Sequence, residues 1–412
     1  MSNCAFRLPP SAFRWVLCTL AVFLCGSDWP GFRGRDGRGV SDETNLPLEF
    51  GDDENVAWKV PLPGSGPSSP IVVGGRVVVT AASGPRQDVL HLLAFEAADG
   101  ELAWHRQFWA TGSSLYNEAG GVAANTPASD GQSLFAFFSS GDLACFDLEG
   151  NLRWMRGLGS DYPAARNDVG MASSPLVVGR TVVVQMESES DAFAAGLDTT
   201  TGLTRWRLPR EKGASWCSPA VLRGLTPEED LVLVQSRNRL TAHEPDTGRQ
   251  RWQFETECHT IASLTTWAGT VYLPANGLNA LKLWPQGGVE LAWYAPVLSS
   301  GYPSPTVCGG RSYTIKSAGV LACGDVRDGS VLWQLRLKGS FWASPVIADG
   351  HLIAVNRDGL AQVVRLEDDH GELVAERQLE PGIRASPAVA DGAIYFRSDE
   401  HLWKIAYAVS ER

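Results

Sequence analysis

Adjacent cysteines, closely spaced histidines, a basic surplus and long apolar runs are all missing beyond residue 27, and each absence removes a class of function. Cys145, Cys217, Cys258, Cys308 and Cys323 are scattered, which is not a disulfide framework. Cys308 and Cys323 fall within one repeat and read as two buried thiols. The histidines at 91, 105, 243, 259, 351, 370 and 401 contain no His-x-x-x-His pair, so that metal-binding pattern is excluded. His370, beside Asp368 and Asp369, reads as a solvated turn. The Gly-x-Ser-x-Gly elbow of a hydrolase is absent. Acidic residues outnumber basic ones by 46 to 35, which disfavours nucleic acid and anionic membrane surfaces as partners. No segment after residue 27 is apolar enough to span a bilayer.

The one apolar run lies at the start. Arg7 and Arg14 precede Trp15–Leu24, and the small residues Cys25, Gly26 and Ser27 follow. That order is the pattern of a secretory signal, so residues 1–27 are expected to direct export to the periplasm or cell envelope. Leu24 disfavours lipid attachment at Cys25, which wants a small residue before it. Residues 28–54 are glycine-rich and aperiodic, and read as an extended lead-in over the domain surface, with Trp29 and Phe32 packing against it. They hold no Gly-Lys-Ser/Thr, so they are not a phosphate loop.

From residue 55 the text is strands and turns, with no ten-residue stretch of helical periodicity. Ala242, Gly248 and Trp252 keep a spacing that recurs at Ala94, Gly100 and Trp104, and at Ala144, Gly150 and Trp154. Gly196, Gly202 and Trp206 repeat it, as do Cys323, Gly329 and Trp333. The glycine supplies the positive φ of a tight turn, and the tryptophan is the large residue its second strand buries. A second marker opens each unit: Ser69-Pro70, Thr126-Pro127, Ser174-Pro175, Ser218-Pro219, Ser304-Pro305, Ser344-Pro345 and Ser386-Pro387. Proline suits the start of a strand because it cannot donate to the ladder. Ser263-Leu264 holds the place missing between Pro219 and Pro305.

Eight units of four strands result, which is the signature of a β-propeller over residues 55–408, with eight blades favoured over seven. The last unit stops one strand short. Asn55–Leu62, bearing Trp58, is expected to supply that strand and close the ring, leaving no exposed edge there. The fifth unit breaks the glycine-to-tryptophan offset near Leu283–Gly288, and the seventh has Ala375 for tryptophan. Those two contacts should pack differently.

The repeat resembles the tryptophan-docking motif of quinoprotein (PQQ-type) propellers. The resemblance implies that Trp104, Trp154, Trp206, Trp252 and Trp333 each stack between the small residue of their own blade and the glycine turn of the next. Asp28-Trp-Pro-Gly-Phe-Arg-Gly34 is similar to the signature of exported, BamB-like PQQ-type propellers found in planctomycetes. Enzymes of the wider family use PQQ and Ca²⁺, a catalytic Asp, and often a disulfide between adjacent cysteines. No two cysteines here are adjacent, the units are too short for an active-site roof, and Asp and Asn fall at turn positions. PQQ and Ca²⁺ are therefore not expected, and a PQQ-dependent dehydrogenase is the alternative reading.

The favoured reading is a non-catalytic, monomeric scaffold of the bacterial envelope that binds a protein partner. The resemblance implies a role in outer-membrane barrel assembly, with the barrel-insertion subunit as partner. In a propeller the first strand of each blade lines the channel, so the residue three before each proline should stand at its mouth. Those residues are Pro67, Ala124, Ala172, Trp216, Tyr302, Trp342 and Arg384. Trp216, Tyr302, Trp342 and Arg384 form the candidate binding patch, because Trp, Tyr and Arg are the residues that anchor partners. Glu187-Ser-Glu-Ser-Asp191 reads as an exposed hairpin loop rather than a cation site.

Overall fold

A computed structural model describes residues 28–51, 54–116, 120–165, 170–284 and 287–408. The export signal assigned to residues 1–27 lies outside the described residues. Eight four-stranded antiparallel sheets follow one another round a ring. Blade 4 is representative, with strands Ala220–Leu222, Leu231–Ser236, Arg239–His243 and Gln250–Glu255. The second and third strands are buried on both sides because each face of a blade packs on a neighbour. The fourth strand faces water on one side, and in Gln250–Glu255 only Trp252 is fully buried. Blade 8 takes Ala388–Ala390, Ala393–Arg397 and His401–Ile405 from the C-terminal end. Val56–Pro61 pairs antiparallel with His401–Ile405 as its fourth strand, as the short final unit requires.

The repeated turn joins strands three and four. In blade 4 the Gly248 N–H donates to Glu244 O at 3.0 Å, and Gly248 sits at φ +69°. A Cβ there would fall 2.7 Å from the Trp206 ring, so both the turn and the indole of blade 3 demand glycine. The Trp206 Nε1–H donates to Pro245 O at 2.7 Å, locking one blade to the next. Trp58, Trp104, Trp154 and Trp293 make the same bond to Ala97, Leu148, Thr199 and Val326.

Two expectations need correction. Trp154 lies opposite Cys145, not Ala144, because the second blade's turn is one residue tighter, with Gly150 N–H donating to Asp147 O. The fifth blade docks its own Trp293 normally over Gly329. The irregularity falls on the receiving side instead. The buried Nε1 of Trp252, whose cluster joins blades 4 and 5, finds no acceptor among the described residues. Trp333, stacked on Gly371 of blade 7, lacks one in the same way. Ala375 of blade 7 has a different cause. Strands three and four of blade 8 come from opposite ends of the chain, so no turn exists there for an indole to stack on.

The lead-in runs across one face and is bonded to it along its length. Trp29 exchanges two backbone bonds with Val72 of blade 1, and Pro30 O accepts from Ser129 of blade 2. Asp36 pairs with Arg223 of blade 4 at 2.7 Å, and the Arg33 guanidinium donates to Pro305 O of blade 6. Gly39 and Ser41 bond Ile347 of blade 7, and Glu43 accepts from Gly392 of blade 8. Trp29 and Phe50 are buried outright.

Candidate functional site: the central channel

The residue two before each first strand has a side chain that turns inward. Ser69 N–H donates to Thr126 Oγ1, Thr126 N–H to Ser174 Oγ, and the series continues through Ser218, Ser263, Ser304, Ser344 and Ser386. Ser386 N–H then donates to Ser69 Oγ at 3.0 Å and closes the circle. Eight hydroxyls thus form a continuous hydrogen-bonded ring round the channel, one per blade. Ser263 keeps its place although its blade lacks the proline, which shows that the hydroxyl, not the proline, is the invariant feature of the repeat.

Above the ring lies a cavity of about 200 Å³ whose mouth is set by the residue two before each hydroxyl. Blades 1 to 3 contribute Pro67, Ala124 and Ala172, whereas blades 4 to 8 contribute Trp216, Ile261, Tyr302, Trp342 and Arg384. The mouth is therefore lopsided, small on one side and large on the other. Ile261 carries no such mark in the sequence, because blade 5 has Leu264 where the other blades have proline. Phe32 of the lead-in borders the cavity from the opposite face.

The four patch residues line this mouth and are half-buried. Trp216 is held by its Nε1–H donating to Gly170 O at 2.8 Å. The Tyr302 and Trp342 rings lie 4.5 Å apart between centroids, tilted by 42°. The Arg357 guanidinium sits 5.4 Å over Trp342, and Arg384 pairs with Asp399 at 2.5 Å. Cation–π and ion-pair contacts of this kind fix the rings before any partner arrives. The docking tryptophans lie between blades, away from this mouth.

No Asp or Glu borders the channel cavity among the described residues. A central Ca²⁺ with a quinone cofactor needs carboxylate oxygens, so these residues do not fit that group. Elsewhere, Glu380, Glu400 and His401 approach within 4.8 Å of one another, but Glu380 already bonds Lys59 and His401. The acidic run at 187–191 is not the uniform exposed loop expected. Glu187 is buried and paired with buried Arg210 at 3.2 Å, within reach of Ser236. Burial pushes its carboxyl up against the opposing pull of Arg210. The five cysteines among the described residues are free thiols. No helix among the described residues is long and apolar enough to cross a membrane.

The family described as outer membrane protein assembly factor BamB matches residues 50–169, 164–272 and 281–374. BamB from Moraxella catarrhalis superposes with a TM-score of 0.62 at 16% identity, covering 87% of this chain and 98% of that one. A europium-containing methanol dehydrogenase gives 0.64 at 14% identity, covering 91% and 90%. Quinohemoprotein alcohol dehydrogenase from Comamonas testosteroni gives 0.65 at 12%, covering 94% and 82%. At these identities the likeness shows the fold alone. No curated protein sequence matches the chain.

Proposed function

The chain belongs to the family described as outer membrane protein assembly factor BamB, and from that premise we propose that it is a non-catalytic scaffold, exported to the bacterial envelope, that binds a protein partner at its channel mouth. The observation that carries this reading is the one-sided cluster of Trp216, Tyr302, Trp342 and Arg384, half-buried and already braced. Rigid, partly exposed aromatics beside arginine concentrate binding energy at small cost in side-chain entropy. The partner in this reading is the barrel-insertion subunit of the outer-membrane assembly machinery.

Co-purification from the native envelope tests it. The wild-type chain should bring down the barrel-insertion subunit, and Tyr302→Ala with Trp342→Ala should lose it while the fold persists by circular dichroism. Retention of that subunit by the double variant would refute the assignment of the mouth. A saturable response of absorbance and tryptophan fluorescence to PQQ with Ca²⁺ would instead favour the dehydrogenase reading.

A further inference from the structure

The first strand of every blade turns a backbone edge toward the axis, and the lead-in covers several of these edges. In blade 1, Trp29 and Val72 exchange both N–H···O bonds, at 2.8 and 3.0 Å. In blade 7, the Ile347 N–H donates to Gly39 O and the Ser41 N–H to Ile347 O. In blade 2, the Ser129 N–H donates to Pro30 O. The lead-in then steps from blade 2 to Arg223 of blade 4, and among the described residues it bonds nothing in blade 3.

Blade 3 is left open. Its first strand, Leu176–Val178, sets Val177 opposite Val182, the register that sets Val72 opposite Val77 and Ile347 opposite Leu352. The Val177 N–H and C=O therefore point to the axis as theirs do, and among the described residues no bond from another element reaches them. Thr266 and Val307, at the same place in blades 5 and 6, also lack such backbone bonds but are buried. Leu176 and Val177 are half-buried, whereas the first two residues of every other first strand are buried. Both border a cavity of about 460 Å³ between blades 2, 3 and 4 and residues Gly31 to Gly37 of the lead-in. That volume lies within the about 300–1,000 Å³ of ligand pockets. Water satisfies a bare strand edge, but the apolar side chains beside it gain only from a chain that covers them.

We propose that this edge is a second docking site, filled by an uncharged extended segment of a partner polypeptide that adds to blade 3 as Trp29 adds to blade 1. Strand addition draws its affinity from main-chain bonds and its specificity from where alternate side chains fall. The lining sets Arg33, Arg35 and Arg223 against Asp28, Asp36 and Asp130, so it favours neither sign of charge. Val and Thr suit the inserted segment, since their branched side chains keep it extended and cover Leu176. The site lies on the lead-in face and does not depend on the mouth.

Amide-resolved hydrogen exchange of the full chain tests the edge, with acetyl-Gly-Thr-Val-Thr-Val-Gly-amide as the probe. In the chain alone, the Val177 N–H should exchange about tenfold faster than those of Val72 and Ile347. Probe at up to about 5 mM should slow it saturably, and the same peptide N-methylated at both valines should not. Val177→Pro removes the proposed donor but no bond of the fold, and an edge strand tolerates proline. That variant should keep its unfolding temperature and bind labelled probe about tenfold more weakly by fluorescence anisotropy, the upper worth of one hydrogen bond. Unchanged affinity in the variant, or no protection of Val177 by the probe, would overturn the proposal. A Val177 N–H as slow as that of Val72 in the chain alone would overturn it too, since the chain itself would then cover the edge. Concentration-dependent self-association that Val177→Pro abolishes would assign the edge to a second copy instead. Should the variant not fold, exchange of the wild-type chain with and without probe decides. Co-purification of the barrel-insertion subunit reads the mouth and not this edge, so the two sites fail separately.

Discussion

A single indole hydrogen bond separates docking tryptophans that otherwise look alike. Trp206 donates to Pro245 O, whereas the Nε1 of Trp252 is buried with no acceptor among the described residues. Trp252→Ala should lower stability by about 3–5 kcal/mol, as for other large-to-small core changes. Replacement by Phe keeps most of the apolar area and removes the N–H. Trp206→Phe should therefore cost about 0.5–1.5 kcal/mol more than Trp252→Phe, the net worth of one hydrogen bond. Equilibrium denaturation of the two variants measures the difference, and an equal cost would show that the bond to Pro245 contributes nothing. The docking residues were legible in the sequence because their function is local and periodic. Cys145 was misread as Ala144 because a turn shortened by one residue keeps the same count from glycine to tryptophan.

Two segments close the molecule, and their effects should separate. Without Val56–Pro61, the strand His401–Ile405 would present an unpaired edge. Deleting residues 55–62 should therefore produce association or aggregation, visible as early elution in size-exclusion chromatography. The lead-in acts differently, since it bonds blades 1, 2, 4, 6, 7 and 8 across one face without completing any sheet. Deleting residues 28–41 should lower the unfolding temperature and leave a monomer. A truncated chain as stable as the full one would mean that these contacts add nothing. Trp29 and Phe32 were readable as packing residues. The lead-in's course across six blades was not, because nothing in an aperiodic stretch says which distant turns it will meet.

For the whole molecule, stability should fall in two stages as pH drops. Burial pushes His91 and His243 down to about 4, against about 6.5 in the unfolded chain. The unfolded state then binds protons first, so this contribution is complete above pH 6.5 and is lost as pH falls toward 4. Asp198, Glu244 and Asp325 at the docking turns are held at about 2 by Arg205, Arg249 and Arg327. Their contribution is present above the ordinary carboxylate range of about 4 and is lost as pH falls toward 2. Unfolding temperatures measured across this range should show both declines, and His91→Gln with His243→Gln should flatten the upper one. A level unfolding temperature between pH 6.5 and 4 would contradict the histidine contribution.

Blade number, strand order, closure by the N-terminal strand and the docking tryptophans follow from the sequence alone. Each depends on spacing within about forty residues, and the chain repeats its local instructions once per blade. Tertiary structure decided what converges at the axis. Eight hydroxyls and one lopsided mouth meet there from positions as far apart as Phe32 and Ser386. No local period encodes that meeting; ring closure brings those residues together. The serine before each proline was in plain view as the mark of a strand opening, and only the closed ring shows that its oxygen holds the next blade.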